Sequence, residues 1–270
     1  GERTKLGYYY DGRSDVIYRR DGTRATVPTR VANHDVNNEW WLGPMVGLDF
    51  ETTGVDPFTD RPVQIGLVYS PGRGVYETVM DKIVDPEMDI GEEAASIHGI
   101  SNAIAKERGE SLQGQITMLL THLNGYRDLD VPLVIYNAPF DWTMLKAQAS
   151  EWGLESFLYE MPILDPLVWS RAVHRYKKGG HGMGEILEMY GMENPPGRHD
   201  AAADARMAIQ LARAIPVKHE QLSRQSIPGL QPIQQFLFAD KAIDFQAYLR
   251  KERDPQAFID RGWPEKDGPE

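Results

Sequence analysis

The run Met45-Val46-Gly47-Leu48-Asp49-Phe50-Glu51 is apolar until its last residues, the pattern of a buried strand with its polar groups at one end. Side chains two apart on a strand share a face, so Asp49 and Glu51 project together while Phe50 points into the opposite layer. Two further strands are expected near 63–69 and 75–84, joined by Pro71-Gly72-Arg73-Gly74 as an antiparallel meander. A second apolar run over 131–136 predicts another buried strand, with Asn137 as a helix N-cap after it and Pro139 in the first helical turn. Helices are predicted near 92–97, 111–125, 139–152 and 182–191, and an Ala-rich helix opens at Asp200 and runs to about 214. Strands first and strand–helix units later give an α/β class, a mixed sheet with helices on both faces.

Both ends differ from this core. Residues 8–27 hold two β-rich runs, Tyr8-Tyr9-Tyr10 and Val16-Ile17-Tyr18, with turn signals at Asp11-Gly12 and Asp21-Gly22. They predict a hairpin or small three-stranded arm packed on the main sheet. From Pro216 onward, Phe238, Ala242, Phe245 and Leu249 recur with helical spacing, an apolar stripe that must be buried on the chain's own core or on a partner. The division expected is an arm over 1–42, a main domain over 43–215 and a helical extension over 216–270.

Composition narrows the setting. No run approaches the roughly 18 apolar residues of a membrane span, and the first residues lack the apolar core of a signal peptide, so a cytoplasmic protein with no membrane contact is expected. With 0 cysteines, disulfides, zinc–thiolate sites and thiol catalysis are excluded. The net charge of −11 argues against a long footprint on duplex nucleic acid. A grip on a few nucleotides remains open, and Arg171, His174, Arg175, Lys177, Lys178 and His181 form the candidate basic patch; a solvated loop is the alternative.

The chemistry sits at element ends. Asp49 and Glu51 on one face repel each other unless a cation lies between them, and oxygen ligands suit Mg2+ or Mn2+. Asp141, in the first turn after Asn137, reads alone as a carboxylate complementing the helix dipole. His199 lies in a loop, Asp200 is an N-cap, and Asp204 is about one turn into its helix.

Asp49-x-Glu51-Thr-Thr-Gly, Asn137-Ala-Pro-Phe-Asp141 and His199-x4-Asp204 together resemble the three motifs of DnaQ-like exonucleases, the DEDDh class, over roughly residues 43–215. Ile97-His98-Gly99-Ile100 is similar to the family's motif near the terminal base, and Asp165-Pro166 stands where many relatives have Asp-Thr. The resemblance implies a ribonuclease H-like fold and a 3′–5′ exonuclease that releases nucleoside 5′-monophosphates, with two Mg2+ or Mn2+ ions. Asp49, Glu51, Asp141 and Asp204 would hold the metals, and His199 would be the general base. Phe50, Thr52, Thr53, Ile97, His98, Asn137 and Phe140 would contact substrate; for Ile97 and His98 a plain helix terminus is the alternative. Single-stranded DNA 3′ ends are expected in preference to RNA. Polymerase or homodimer contact is expected through 1–42 or 216–270. Two alternatives are an oligoribonuclease-like enzyme and a replication-complex module with secondary catalysis.

Overall fold

The computed structural model describes residues 8–11, 16–19, 21–25, 39–194 and 199–268. The arm is an antiparallel pair, β1 (Tyr8–Asp11) and β2 (Val16–Arg19), with Tyr10 opposite Ile17. A third segment joins only through a bridge between Tyr18 and Arg24. Gly12, in the first anticipated turn, lies outside the described residues.

The main sheet begins with an antiparallel meander of β3 (Met45–Thr52), β4 (Pro62–Gly72) and β5 (Val75–Asp85). Two short helices follow, α1 (Glu92–His98) and α2 (Asn102–Arg108), then β6 (Glu110–Ser111) and α3 (Leu112–Asp128). β7 (Leu133–Val134) runs parallel to β3 and leads into α4 (Ala138–Glu151). β8 (Ile163–Leu164) pairs parallel to β7 and leads into α5 (Pro166–Val173) and α6 (Met183–Met189). α7 (Ala201–Lys218), α8 (Glu220–Ser223) and α9 (Ile227–Glu252) complete the chain's helices among the described residues. The sheet order is β6-β5-β4-β3-β7-β8.

Alternation along the central strands sorts the layers. Val46, Leu48 and Phe50 of β3, with Ile65 and Leu67 of β4, face the side covered by α3 and α4. Met45 and Val68 face the side covered by α6 and α7. α7 lies directly on the sheet because two glycines let it: a Cβ on Gly47 would sit 2.5 Å from the Ala205 carbonyl oxygen, and one on Gly66 would sit 2.2 Å from the Ala201 carbonyl carbon. Arg213, buried in α7, donates to the carbonyls of Trp41 and Gly43 and to Ser70, tying the helix to the chain entering β3 and to the far end of β4.

Several details differ from expectation. The strand expected over 131–136 keeps only two ladder residues, and β8 was not anticipated, because a two-residue parallel strand buried on both faces carries no alternation. The last core helix does not stop near 214. It runs through Pro216, which removes one hydrogen-bond donor near the helix end while the buried Ile215 and Val217 hold the turn in place. The arm packs on α7: Tyr10, Ile17 and Ala25 share a buried cluster with Trp40, Trp41 and α7.

The extension does pack on the chain's own core, but on a different face from the one its apolar stripe suggested. Ala242 is buried and Phe238 partly so, whereas Phe245 is 47 % exposed. Two glutamines, Gln234 and Gln246, occupy buried positions and hydrogen-bond there, which a search for apolar residues misses. Among the described residues no helix is long and apolar enough to cross a membrane.

Candidate active site

Asp49 and Glu51 lie at the exit of β3 on the face that Gly47 opens to α7. Asp204 enters from α7 as its first-turn acid, buried at 8 % exposure like Glu51. The start of α7 is fixed by two devices. Asp200 caps the helix by accepting from Ala203 N at 3.0 Å. Gln64, opposite Glu51 on β4, accepts from Ala201 N at 3.2 Å and donates to Asp200 at 2.9 Å and to Asp81 at 2.8 Å. His199 precedes the cap with φ at 84°, a left-handed conformation uncommon for a residue with a Cβ. Ligand atoms of Glu51, His199 and Asp204 all lie within 4.8 Å of one another.

Asp141 arrives from the opposite layer. The chain leaves β7, turns through Asn137 with φ at 73°, and places Asp141 in the first turn of α4. Asparagine tolerates that left-handed turn better than most residues. Asp141 is 4 % exposed and accepts a 3.0 Å hydrogen bond from Phe50 N on β3. Burial pushes its carboxyl up to about 8, against the lowering effect of the Phe50 N–H; the charge of Glu51 adds to the rise. The Asp49 carboxyl is held well above the usual carboxylate range, first by burial and then by Asp141, Asp204, Glu51 and Asp200. The charged neighbours that raise it, Asp141, Asp204, Glu51 and Asp200, are all acids. Carboxylates so placed ionise together only with a cation among them.

The residues expected around the substrate divide into two groups. Thr52, half-buried, offers its carbonyl to His98 Nε2 at 3.1 Å, and Ile97 beside it is 50 % exposed, so these line the open side of the site. Ile100 N donates to His98 Nδ1 at 3.1 Å, leaving Nε2 to carry the proton. Asn137 is exposed at the mouth, with Phe140 partly buried behind it. In the second group the side chains are engaged within the chain. The Phe50 ring is buried in the far core and its backbone N–H serves Asp141. The Thr53 hydroxyl is buried and used within the chain, donating to Asp60 at 2.8 Å and accepting from Arg61 N at 3.0 Å.

Asn137 also lacks the capping role expected of its side chain. The N–H groups of Asn137 and Ala138 instead reach Asp165, at 3.1 and 2.9 Å. Much of the basic patch is used internally: Lys177 pairs with Glu185, His181 with Ser170, and His174 and His219 share the Tyr190 hydroxyl at 2.9 and 3.0 Å.

Gln64 and Asp165 both bond to backbone around the site; motif reading passed over Gln64 and noted Asp165 only for the proline that follows it. A glutamine between Val63 and Ile65 in a buried strand is a legible signal. Asp165-Pro166 was legible too, as an N-cap followed by proline at the first helical position, the start of the unforeseen α5.

The RNase_T family model, described as Exonuclease, matches residues 46–212. A PolC-type DNA polymerase III from Thermotoga petrophila is 28% identical over 218 residues, covering 78% of this chain and 15% of that protein. The DNA polymerase III subunit epsilon of Rickettsia prowazekii is 28% identical over 175 residues, covering 62% of this chain and 72% of that protein. Among solved structures, exonuclease I from Methylocaldum szegediense superposes with a TM-score of 0.57 at 21% identity, over 73% of this chain and 45% of that one. E. coli exonuclease I in complex with a dT13 oligonucleotide gives 0.55 at 18% identity, over 67% of this chain and 42% of that one. At these identities the structural likeness is one of fold, and the chain spans less than half of either exonuclease I and a small fraction of the PolC-type protein. The family match runs from Val46 of β3 through α4 to Ala212 of α7, with Asp49, Glu51, Asp141, His199 and Asp204 inside it, and the chain belongs to the RNase_T exonuclease family.

Proposed function

We propose that the protein is a metal-dependent 3′–5′ exonuclease that removes nucleoside 5′-monophosphates from single-stranded or frayed DNA. The observation that carries this reading is the meeting of four carboxylates from three elements, with His199 beside two of them, where burial and the neighbouring acids disfavour ionisation of Asp49 and Asp141. An all-acid cluster of this kind fits Mg2+ or Mn2+. Asp49, Glu51 and Asp204 would hold one ion, and Asp49 with Asp141 the other. When bound, two such ions neutralise the phosphate, activate a water and stabilise the departing 3′ oxygen.

The protein's own groups supply the rest. His199 takes the proton from the attacking water, since imidazole titrates near neutrality and the acids around it are needed as ligands. Its left-handed backbone is a local strain of the sort kept where a side chain must point one way. Thr52, Ile97 and His98 receive the terminal nucleotide, with base stacking on Ile97 and His98 worth about 1–3 kcal/mol and indifferent to base identity. A grip this short suits a chain of net charge −11.

DNA is favoured over RNA because the two relatives named above are DNA polymerase III proteins and E. coli exonuclease I holds a dT13 oligonucleotide. An oligoribonuclease-like activity is the alternative substrate reading. The exonuclease unit is proposed over 43–215, with 1–42 and 216–270 as appended segments; α7 carries on to Lys218 across that last boundary. Polymerase or homodimer contact through the appended segments and a cytoplasmic location belong to the same proposal. Digesting matched DNA and RNA single strands and duplexes side by side with Mg2+ tests the substrate. Faster shortening of single-stranded DNA is expected, and a preference for short RNA would replace the DNA reading with the oligoribonuclease one.

A further inference from the structure

Asp165 ends β8, and its buried carboxylate gathers N–H groups from three separate parts of the chain. Oδ1 accepts from Asn137 N at 3.1 Å, Leu167 N at 3.1 Å and Val168 N at 3.5 Å. Oδ2 accepts from Ala138 N at 2.9 Å and from the indole Nε1 of Trp263 at 3.1 Å. Asn137 and Ala138 form the turn from β7 into α4, and Asp141 follows in the first turn of that helix. Whatever fixes Asp165 therefore fixes the approach of Asp141 to β3.

Trp263 comes from outside the matched residues 46–212. It is 5 % exposed and packs in the cluster that holds Trp142 and Met144 of α4 with Phe50 of β3. Its neighbours grip the same helix: Lys266 N donates to Thr143 Oγ1 at 2.9 Å, and Glu265 pairs with Lys146. From the other side, α9 caps the sheet edge. Gln234 accepts from Asp165 N at 2.8 Å and donates to the Ile163 carbonyl at 2.9 Å, and Gln231 accepts from Ile163 N at 3.0 Å. Two glutamines thus stand where another strand would pair with β8.

We propose that the C-terminal segment is a positioning element of the active site, in which Trp263, acting through Asp165, sets the Asn137–Ala138 turn and hence the place of Asp141 in the metal site. The proposal rests on the reading of Asp141 as a metal-holding carboxylate. Simple packing would need only an apolar ring at 263. An indole N–H directed at a buried carboxylate oxygen serves the orientation of that carboxylate, and such outer contacts govern metal affinity.

The test compares the full-length chain with Trp263→Phe, which keeps a buried ring and loses the N–H. Trp40→Phe is the matched control. It makes the same chemical change in the cluster on the other face of the sheet, where Trp40 Nε1 donates to the Gln225 carbonyl at 2.8 Å. Mn2+ binding is read by calorimetry, unfolding by circular dichroism, and kcat and KM on a single-stranded oligonucleotide. Trp263→Phe is expected to weaken Mn2+ binding by about tenfold and to lower kcat with KM unchanged. Trp40→Phe is expected to lose stability and bind Mn2+ like the wild type. Thr143→Val cuts the Lys266 contact with an isosteric side chain and is expected to act in the same direction by about threefold, which keeps the test decisive if Trp263→Phe does not fold. Wild-type Mn2+ affinity and kcat in both folded tail-contact variants would overturn the proposal, as would equal losses in Trp263→Phe and Trp40→Phe. Absence of Mn2+ binding by the wild type itself would remove the metal reading and the proposal together, whereas normal affinity in the variants leaves that reading standing.

Discussion

Asp141 is pulled in two directions: its burial favours the protonated acid, while the role proposed for it needs the anion. With its carboxyl raised from 3.8 to about 8, the metal-free folded state binds more protons than the unfolded state across that window. Metal-free stability from this group is therefore fully present below pH 3.8 and is lost as pH rises through about 8. Ion binding demands the anion and releases the proton, so affinity for Mn2+ should rise across the same window. Calorimetry in two buffers of different ionisation enthalpy, at about pH 6 and about pH 8, should show more proton release at the lower value; pH-independent affinity would contradict the burial account. His199 is the other residue whose role divides readings. His199→Ala should lower the cleavage rate by about two to four orders of magnitude and erase the acidic limb of the pH–rate profile, with Mn2+ affinity kept. Lost affinity with the limb intact would make it a ligand, a role its place beside Glu51 and Asp204 also allows. All five catalytic candidates were legible because each stands at a strand exit or helix start within a short motif. Asp165, Gln64 and Trp263 act across long sequence separations, and no local spacing advertises that.

At the scale of elements, the site is an agreement between β3, α4 and α7. Acids from the two helices meet the strand only if α7 lies flat on it, which is why positions 47 and 66 are glycines. Gly66→Ala would place a Cβ 2.2 Å from the Ala201 carbonyl carbon, so the start of α7 must lift. The expected cost is about 1–3 kcal/mol, read as a drop in melting temperature, with a larger fractional loss of activity because Asp204 moves with the helix. Unchanged stability and turnover would mean that α7 does not need this close seat. The meander and long helices were visible in their periodicity. β6, β8, α2 and α5 were not: two-residue strands have no period, and the starts of α2 and α5 are marked only by their caps, Ser101 and Asp165.

Over the whole molecule, described residues on both sides of the family match pack on the core. The arm joins the core on the α7 side and the tail joins it on the α4 side. The tail's contacts were only partly legible: Phe238 and Ala242 of the stripe do pack inward, but Gln231, Gln234, Gln246 and Trp263 also hold the tail, and no apolar spacing marks them. At the far end of α7, His219 shares the Tyr190 hydroxyl with His174, and burial lowers its pKa from 6.5 to about 4. A histidine kept neutral by folding contributes stability above pH 6.5 that is lost as pH falls toward about 4. The melting temperature of His219→Gln should therefore fall less than that of the wild type between about pH 7 and about pH 5; parallel curves would show that His219 carries no such linkage. The measurement that bears most directly on the function is digestion of a 5′-labelled single-stranded oligonucleotide by the wild type and by Asp141→Asn, with Mg2+ and with excess chelator. The account predicts a ladder shortening one nucleotide at a time from the 3′ end, present only for the wild type with Mg2+. Cleavage in chelator, a ladder from folded Asp141→Asn, or internal cuts from the outset would contradict it.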